Sequence, residues 1–281
     1  MSRVTFKAMG TGVDAWCEDV ESSEEVRAWF AEVESVCSRF RADSELSRLN
    51  RAPAGTVVMS PMLTDVMQSA DRARSLTDGL VDAGVGAGVV AWGYDRSFEG
   101  VRDIDVEPTP TSHPQWVIRG NALTRGPDTK IDLGGVAKGW TSDRAVEGGM
   151  ARVVSAGGDV RSGDPGTVVS VMDPHGEIAA RIQLGIGALA TSSTTRRRWK
   201  AGRREVSHII DPRTMEPAQS PVLSATVVAK SAVDAEAGAK AALLMGERAL
   251  VWAADADWID AALVVWHDGS VYATPGIEVA A

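Results

Sequence analysis

The feature that most constrains this chain is residues 130–143, where a short apolar run enters two adjacent glycines. The run around Asp132 predicts a strand, and the pattern after Gly134 and Gly135 becomes helical, with Lys138 in its first turn. Adjacent glycines at such a turn let a ligand approach the backbone and leave first-turn N–H groups free, which forms an anion site. The stretch therefore predicts a site for a phosphorylated ligand such as a nucleotide. A glycine pair that caps an ordinary buried strand is the alternative interpretation.

Length and composition place this chain among ordinary globular proteins. It has 281 residues, with 44% apolar and 24% charged side chains. That length is within reach of one large domain, and we expect a single domain over residues 1–281. The formal net charge of −9 argues against nucleic acid as a partner, because phosphate-backbone binding needs a basic face.

The cysteines and the first residues bear on the compartment. Cys17 and Cys37 each lie in an apolar pattern, so we expect two small buried residues and not a disulfide. The N-terminal segment lacks the apolar core of a signal peptide, and no run has the length needed to cross a bilayer. We therefore expect a soluble, cytoplasmic chain without a membrane segment.

Local patterns predict a mixture of helices and strands. Strand pairs are expected around the turn at Met9-Gly10, within residues 117–123 and at the end of the chain over residues 262–273. Helices are expected to start at Ser22, at Ser60-Pro61 and near Ala235. The glycine-rich residues 80–93 indicate close backbone packing beside a ligand, with a flexible loop as the alternative.

Three charged features remain open at this point. Residues 196–204 are basic, which is typical of a solvated loop but also suits a phosphate or an acidic partner. His208 and Asp211 flank two apolar residues and are candidate proton acceptors. Glu236 and Lys240 lie one helical turn apart, and spacing alone favours an exposed ion pair worth a few tenths of a kcal/mol.

Seven segments, in this order, resemble the ApbE-like FAD:protein FMN transferases. They are Met9-Gly-Thr11, Asp43-Ser-Glu-Leu-Ser47, the stretch from Asp78-Gly79 to Trp92-Gly93, Asp132-Leu-Gly-Gly135 with Lys138-Gly139, Gly157-Gly-Asp159, Thr191-Ser192 and His208-Ile-Ile-Asp-Pro212. The resemblance implies an α+β, T-fold-like single domain, with mixed or antiparallel sheets and packed helices around an FAD cleft. It also implies a transferase that attaches FMN from FAD to a threonine or serine of an acceptor protein and releases AMP.

The resemblance also assigns residues to roles. The positions that correspond to flavin-contacting ones are Met9, Phe40, Leu80, Val81, Asp82, Asp132, Lys138 and Ile210. Phe40 stands where the family commonly has tyrosine, which keeps a stacking face but loses the hydroxyl. His208 or Asp211 is the candidate base for the incoming hydroxyl.

The implied metal site departs from the family pattern. The family's magnesium is held by a backbone carbonyl at the position of Gly135 and by an Asp and a Thr on the late helix, where this chain has Glu236 and Lys240. A protonated lysine has no lone pair and repels a cation. We therefore predict that the Lys240 ammonium takes over part of the metal's work, with Glu236 holding it, and that magnesium is weakly bound or dispensable.

Three alternatives compete with the transferase. A hydrolase of the same fold would split FAD into FMN and AMP with water as the nucleophile. A non-catalytic protein would bind intact FAD. An unrelated α/β domain with coincidental glycine motifs would have no affinity for flavin.

Overall fold

The structure is a computed structural model that describes residues 2–277. Its strands are β1 (Ser2–Ala8), β2 (Thr11–Cys17), β3 (Gly55–Val58), β4 (Trp116–Arg119), β5 (Ala122–Arg125), β6 (Val153–Ala156), β7 (Asp159–Ser162), β8 (Val168–Met172), β9 (Ile178–Gln183), β10 (Gly187–Ser193), β11 (Arg198–Ala201), β12 (Arg204–Ser207), β13 (Ile210–Asp211), β14 (Glu216–Pro217), β15 (Val222–Ala229), β16 (Ile259–Trp266) and β17 (Val271–Ala273). Its α-helices are α1 (Val20–Cys37), α2 (Glu45–Arg51), α3 (Pro61–Leu76), α4 (Gly86–Ala91), α5 (Ala137–Glu147), α6 (Ala232–Met245) and α7 (Ala249–Asp255). Short 3₁₀ turns cover Phe98–Gly100 and Gly246–Arg248.

Within these residues the chain groups into two compact units. The first unit is drawn from Met1–Ala31, Lys138–Thr195 and Gln219–Ala281, and the second from Glu32–Ala137 and Arg196–Ala218. The expected α+β class, with antiparallel sheets and packed helices, is confirmed. The single domain stays a prediction.

The first unit is built on an eight-stranded sheet of order β1-β2-β6-β7-β10-β15-β16-β17. Every neighbouring pair in it is antiparallel. The predicted strand pair at the start of the chain is confirmed. Its two-residue turn has Met9 at φ 52° and Gly10 at φ 70°, the left-handed values that a tight hairpin turn with matching twist requires. The predicted hairpin at the end of the chain is β16–β17.

The first part of helix α1 packs into the core of the first unit. Val26 and Phe30 are fully buried, and the Phe30 ring lies edge-on to Phe6 at 5.6 Å. The predicted start at Ser22 is wrong by two residues, because the Asp19 carboxylate accepts the Ser22 N–H at 2.8 Å and lets the helix begin earlier.

Helix α6 is a core helix of the first unit. Ser231 caps it, so it starts three residues before the predicted Ala235. Small residues cover most of its surface and it is buried on nearly all sides. A Cβ on Gly238 would lie 2.8 Å from the Val227 side chain of β15, so only glycine permits this close approach to the sheet.

The second unit contains a three-stranded sheet of order β3-β5-β4 and the two hairpins β11–β12 and β13–β14. The predicted hairpin within residues 117–123 is β4–β5. The predicted helix start at Ser60-Pro61 is also confirmed, since Ser60 caps α3, and Ser44 caps α2. An aromatic core holds the hairpins, where the Trp199 indole donates to the Trp92 carbonyl at 2.7 Å.

The glycine-rich segment combines a short helix with close packing. Residues 86–91 form α4, which the sequence interpretation did not include. A Cβ on Gly84 would meet the Pro114 side chain at 2.4 Å, and one on Gly86 would meet the Lys130 carbonyl at 2.7 Å. The predicted close backbone packing is therefore confirmed, and the flexible-loop alternative is wrong.

One local prediction in the second unit is wrong. Residues 131–133 form no strand; only a single parallel bridge pairs Lys130 with Val85.

The basic run, whose role was left open, contains strand β11 over residues 198–201, with Arg198 and Lys200 exposed. Across its hairpin Arg198 pairs with Glu205 at 2.9 Å, so opposite charges on adjacent strands order this run.

Two general expectations can be compared with the described part of the chain. Both cysteines are buried and free, as expected. None of the helices between residues 2 and 277 combines the length and apolar character that a bilayer crossing requires.

Candidate active site

Four charged side chains meet in the first unit and form what we term the lysine–carboxylate cluster: Lys138, Asp159, Glu236 and Lys240. Lys138 Nζ donates to Glu236 Oε1 at 2.6 Å, and Lys240 Nζ donates to the same oxygen at 3.1 Å. Asp159 Oδ2 lies 3.8 Å from Lys138 Nζ. Glu236 is 4% exposed, so the expectation of an exposed ion pair is wrong. Helix α6 is enclosed by its own unit, which the one-turn spacing could not reveal.

Close packing of helices places these side chains. Lys138 is the second residue of α5, and a Cβ on the next residue, Gly139, would lie 2.9 Å from the Ala232 backbone at the start of α6. This glycine contact holds α5 against α6 within reach of a lysine side chain. Asp159 begins β7 and its Oδ1 accepts the Thr191 N–H at 3.0 Å. The cluster is thus tied to two helices and the sheet.

The charges of the cluster shape its titration. Burial raises the pKa of Glu236, but the ammoniums of Lys138 and Lys240 outweigh burial and lower that pKa to about 2. Burial also raises the pKa of Asp159, and Lys138 offsets part of this effect. Glu236 is therefore ionised at neutral pH. Its second oxygen, Oε2, is buried and has no hydrogen-bond partner within residues 2–277.

A second ion pair fixes the start of α6. Asp143 accepts the backbone N–H groups of Ala232 and Val233 at 2.8 Å and 3.1 Å. The Arg161 Nε lies 2.8 Å from the same carboxylate. A carboxylate at a helix N-terminus interacts favourably with the helix dipole. Asp143 therefore anchors α6, the helix that carries Glu236 and Lys240.

The residues of this unit do not fit a divalent cation. Glu236, the expected carboxylate ligand, already accepts two ammoniums at one oxygen, and Lys240 carries positive charge where the family's threonine would offer a neutral oxygen. Magnesium prefers six oxygen ligands in near-ideal octahedral geometry. Among residues 2–277 no group of three or more His, Cys, Asp or Glu is placed to hold a metal ion. Gly135, the other expected ligand position, belongs to the second unit and is half-buried.

The glycine pair in the second unit is organised by Asp132. Its Oδ1 accepts the Gly134 N–H at 2.7 Å, and Val136 and Ala137 donate their N–H groups to the Leu133 carbonyl at 3.0 Å and 2.8 Å. The prediction that the glycines leave these N–H groups free is therefore wrong. An aspartate two residues before a glycine closes a local turn, which competes with a ligand for the same donor.

Arg39 links Asp132 to an aromatic group in the second unit. Its Nε lies 2.7 Å from Asp132 Oδ2, while its guanidinium lies over Phe40 at 4.0 Å and over Tyr94 at 4.6 Å from the ring centroids. Phe40 is 41% exposed, and its ring lies 5.6 Å from that of Tyr94. A partly exposed ring beside a stacked guanidinium suits a planar ligand.

The other flavin-position residues differ in how available they are. Leu80 and Val81 are buried, and their N–H groups donate to the Thr77 carbonyl and hydroxyl, both at 3.0 Å. Asp82 accepts the Gly84 N–H and the Trp116 indole N–H with one oxygen, each at 2.6 Å.

Two more of these residues pack against apolar cores. Ile210 is buried in the aromatic core of the second unit. In the first unit, Met9 packs against the core, and its sulfur accepts the Thr141 hydroxyl at 3.8 Å.

The candidate bases in the second unit are engaged to different degrees. Asp211 binds the Arg213 guanidinium at 2.7 Å and also accepts the Arg213 N–H at 2.9 Å. The Asp211 carboxylate thus stabilises the turn between residues 211 and 213. His208 is half-buried, with its ring edge-on to Tyr94 at 6.3 Å.

Sequence reasoning missed several residues of these groups as site residues. The missed residues are Arg39, Tyr94, Asp143, Asp159 and Arg161. Arg39 and Asp159 lie inside or beside quoted motifs, so the motif context was a usable signal for them. Tyr94 directly follows the quoted Trp92-Gly93, and Asp143 ends the stretch 130–143, so they had the same kind of signal. Arg161 had no motif beside it.

The fold and these groups define the class of protein to which the chain belongs. It is an antiparallel α+β protein in which two lysines bind carboxylates near the core, an arrangement suited to a phosphorylated ligand. The sequence then places it more closely. The family model described as ApbE family matches residues 9–263, and the chain belongs to this family.

Similar proteins agree with that assignment. The FAD:protein FMN transferase of Vibrio cholerae is 30% identical over 269 residues, which cover 87% of this chain and 79% of that protein. The one of Escherichia coli K12 is 26% identical over 276 residues, covering 85% and 77%. Among solved structures, the ApbE protein of Thermotoga maritima has a TM-score of 0.85 at 25% identity, covering 98% of this chain and 97% of that one. The flavin transferase ApbE of V. cholerae has a TM-score of 0.81 at 28% identity, with the same coverage.

Proposed function

We propose that this protein is an FAD:protein FMN transferase. It moves the FMN half of FAD to a threonine or serine hydroxyl of an acceptor protein. The hydroxyl oxygen forms a bond to the phosphorus of the FMN phosphate, the pyrophosphate P–O bond breaks, and AMP leaves with the bonding electron pair. The hydroxyl proton passes to a base on the protein.

The observation that carries this proposal is the convergence of two lysine ammoniums on Glu236 Oε1 in the first unit. Phosphoryl transfer needs positioning and neutralisation of phosphate charge more than covalent help. Lys138 and Lys240 supply two positive charges on side chains that are only 15% and 20% exposed. Reduced solvent contact strengthens their attraction for a phosphate.

In the second unit we assign flavin contacts to Phe40 and to the backbone of residues 80–82. Arg39 holds the Asp132 carboxylate and stacks on Phe40, so it positions both residues. His208 is the stronger candidate for the base, since the Asp211 carboxylate is occupied by Arg213. An imidazole nitrogen can accept a hydroxyl proton near neutral pH.

One assay separates the possible activities. Purified protein is incubated with FAD and millimolar Mg²⁺, with and without an unmodified acceptor domain. This domain is of a kind that is flavinylated at a threonine or serine in other proteins. We expect AMP together with a covalently flavinylated acceptor, detected by in-gel fluorescence and by mass spectrometry. A matched acceptor whose hydroxyl residue is replaced by alanine should remain unmodified.

The other results identify the competing functions. AMP with free FMN, independent of the acceptor, would establish a hydrolase in place of a transferase. Intact FAD that stays bound would establish a flavin-binding protein. No detectable binding of FAD would remove the proposal altogether.

A further inference from the structure

We propose that the lysine–carboxylate cluster replaces a divalent cation, so that this protein binds the pyrophosphate of its dinucleotide substrate without metal. The inference deepens the proposed function and rests on it for the identity of the substrate. The sequence predicted that Glu236 holds Lys240, and the structure shows that Lys138 binds the same carboxylate. Both ammoniums bind the one carboxylate that would otherwise be the main metal ligand.

The occupancy of Glu236 Oε1 argues against a metal. Ammonium nitrogens 2.6 Å and 3.1 Å away place two positive charges around this oxygen. A divalent ion bound here would be repelled by both charges in a poorly solvated place, where Coulomb energies are several times larger than in water. An ion at either oxygen of Glu236 would meet this repulsion while both lysines are in place.

The same lysines can serve a phosphate. An ammonium is a compact point charge that binds phosphate oxygens without demanding octahedral geometry. The carboxylate between the two lysines keeps them side by side despite their mutual repulsion. Glu236 therefore positions the two lysines through Oε1, and Lys138 and Lys240 are the groups that contact the phosphates.

The free oxygen of Glu236 indicates that the cluster is a ligand site and not only a structural ion pair. Glu236 is 4% exposed, and its Oε2 has no hydrogen-bond partner in the part of the chain that the structure describes. A buried acceptor without a donor costs free energy unless a ligand or a bound water supplies the donor. A hydroxyl of the ligand can do so.

Direct metal binding is the first test, and it does not depend on FAD. Mn²⁺ serves as the probe, and its free signal is followed by electron paramagnetic resonance with the wild-type protein and the Lys240→Thr variant. We expect no binding to the wild type up to millimolar Mn²⁺. Lys240→Thr loses one repelling charge and gains an oxygen ligand, so it should bind Mn²⁺ with a dissociation constant about tenfold or more below that limit. Lys240→Met, which removes the charge without adding a ligand, should bind more weakly than Lys240→Thr.

The second test measures FAD affinity by flavin fluorescence in EDTA and in millimolar Mg²⁺. The wild type should bind FAD equally well in both, within about twofold. Lys240→Met should lose about tenfold in both conditions, the loss expected for one charge-assisted contact. Lys240→Thr should lose affinity in EDTA and recover it with Mg²⁺. Lys230→Met, a change at an exposed lysine outside the cluster, should match the wild type.

Other results decide against the inference. Submillimolar Mn²⁺ binding by the wild type, or FAD affinity that collapses in EDTA, would show that the cluster accepts a metal after all. An unchanged FAD affinity in Lys240→Met would show that Lys240 does not contact the substrate. FAD that binds without metal but yields no AMP would instead sink the proposed function and leave this inference standing.

Discussion

Glu236 in the first unit and Asp132 in the second are two carboxylates in key motifs, and they are held in different ways. Glu236 accepts two lysine ammoniums at one oxygen and, among the described residues, has no hydrogen-bond partner at the other. Asp132 binds the Arg39 guanidinium with one oxygen and the Gly134 N–H with the other. Each of Asp132's oxygens therefore has a donor, whereas Glu236 retains a free acceptor.

This difference separates a fixed carboxylate from one that is ready for a ligand. A guanidinium fork and a backbone N–H are rigid partners, so they lock the turn that follows Asp132. Lysine ammoniums are flexible and can be shared with an incoming phosphate. The lesson is that the number and stiffness of the partners, more than the carboxylate itself, indicate which acid belongs to a binding site.

The largest effect is expected for Glu236→Gln. The substitution leaves two ammoniums without a counter-charge, and breaking a buried pair costs about 3 to 5 kcal/mol. We expect the unfolding free energy to fall by about 3 kcal/mol, at the lower end of that range, because both lysines can turn toward solvent. Urea denaturation followed by tryptophan fluorescence measures it, with exposed Glu247→Gln as the control. A loss below about 1 kcal/mol would place this pair with ordinary surface ion pairs.

The same contact predicts a pH dependence. The folded pKa of Glu236, about 2, lies below its ordinary value of 4.5, so its ionised form stabilises the fold. That contribution is fully present above pH 4.5 and is lost as the pH falls toward 2. The difference in unfolding free energy between wild type and Glu236→Gln should therefore shrink across this window. A difference that stays constant throughout it would contradict the assigned ion pairs.

Asp132→Asn should have an intermediate effect. Asparagine keeps an oxygen for the Gly134 N–H but loses the charge that Arg39 binds, and hydrogen bonds to charged groups contribute about 1.5 to 3 kcal/mol. We expect a loss of about 2 kcal/mol in thermal or chemical unfolding. Asp105→Asn, the same change at an exposed position of the same unit, should cost almost nothing. Equal losses in the two variants would mean that the Arg39 pair adds no stability.

The smallest effect on stability is expected for Met9→Asn. Asparagine tolerates the left-handed backbone at φ 52°, so we expect the unfolding free energy to change by less than about 0.5 kcal/mol. FAD affinity should nevertheless fall, since Met9 occupies a flavin-contacting position in the family pattern. If the affinity and the stability both stay unchanged, Met9 serves only the turn.

Much of the fold could be predicted because its signals are local. The caps Ser44 and Ser60, and the hairpin turn at Met9-Gly10, depend on residues within one turn of the chain. The strand expected over residues 131–133 failed for a related reason. Its apolar residues are buried without pairing in a sheet, and hydrophobicity alone does not distinguish the two cases.

The candidate site was predictable as a set of residues but not as a set of contacts. Sequence motifs pointed to Lys138, Glu236 and Lys240, and the positive charge of Lys240 in place of a neutral threonine already argued against magnesium. They did not show that Lys138 shares the same oxygen of Glu236, because 98 residues separate these two partners. The one-turn spacing of Glu236 and Lys240 also led to the wrong expectation that this ion pair faces solvent.

By itself, the sequence determined the family, the α+β class and the charges available to a phosphorylated ligand. These follow from residue identity and short-range spacing, which the chain carries whatever its tertiary packing. Only the tertiary structure decided that α5 approaches α6 at Gly139, that Glu236 is buried between two lysines, and that the Gly134 N–H is taken by Asp132. The reason is physical: burial and pairing depend on which distant segments pack together, and the same charges on open helices would remain solvated and weakly coupled.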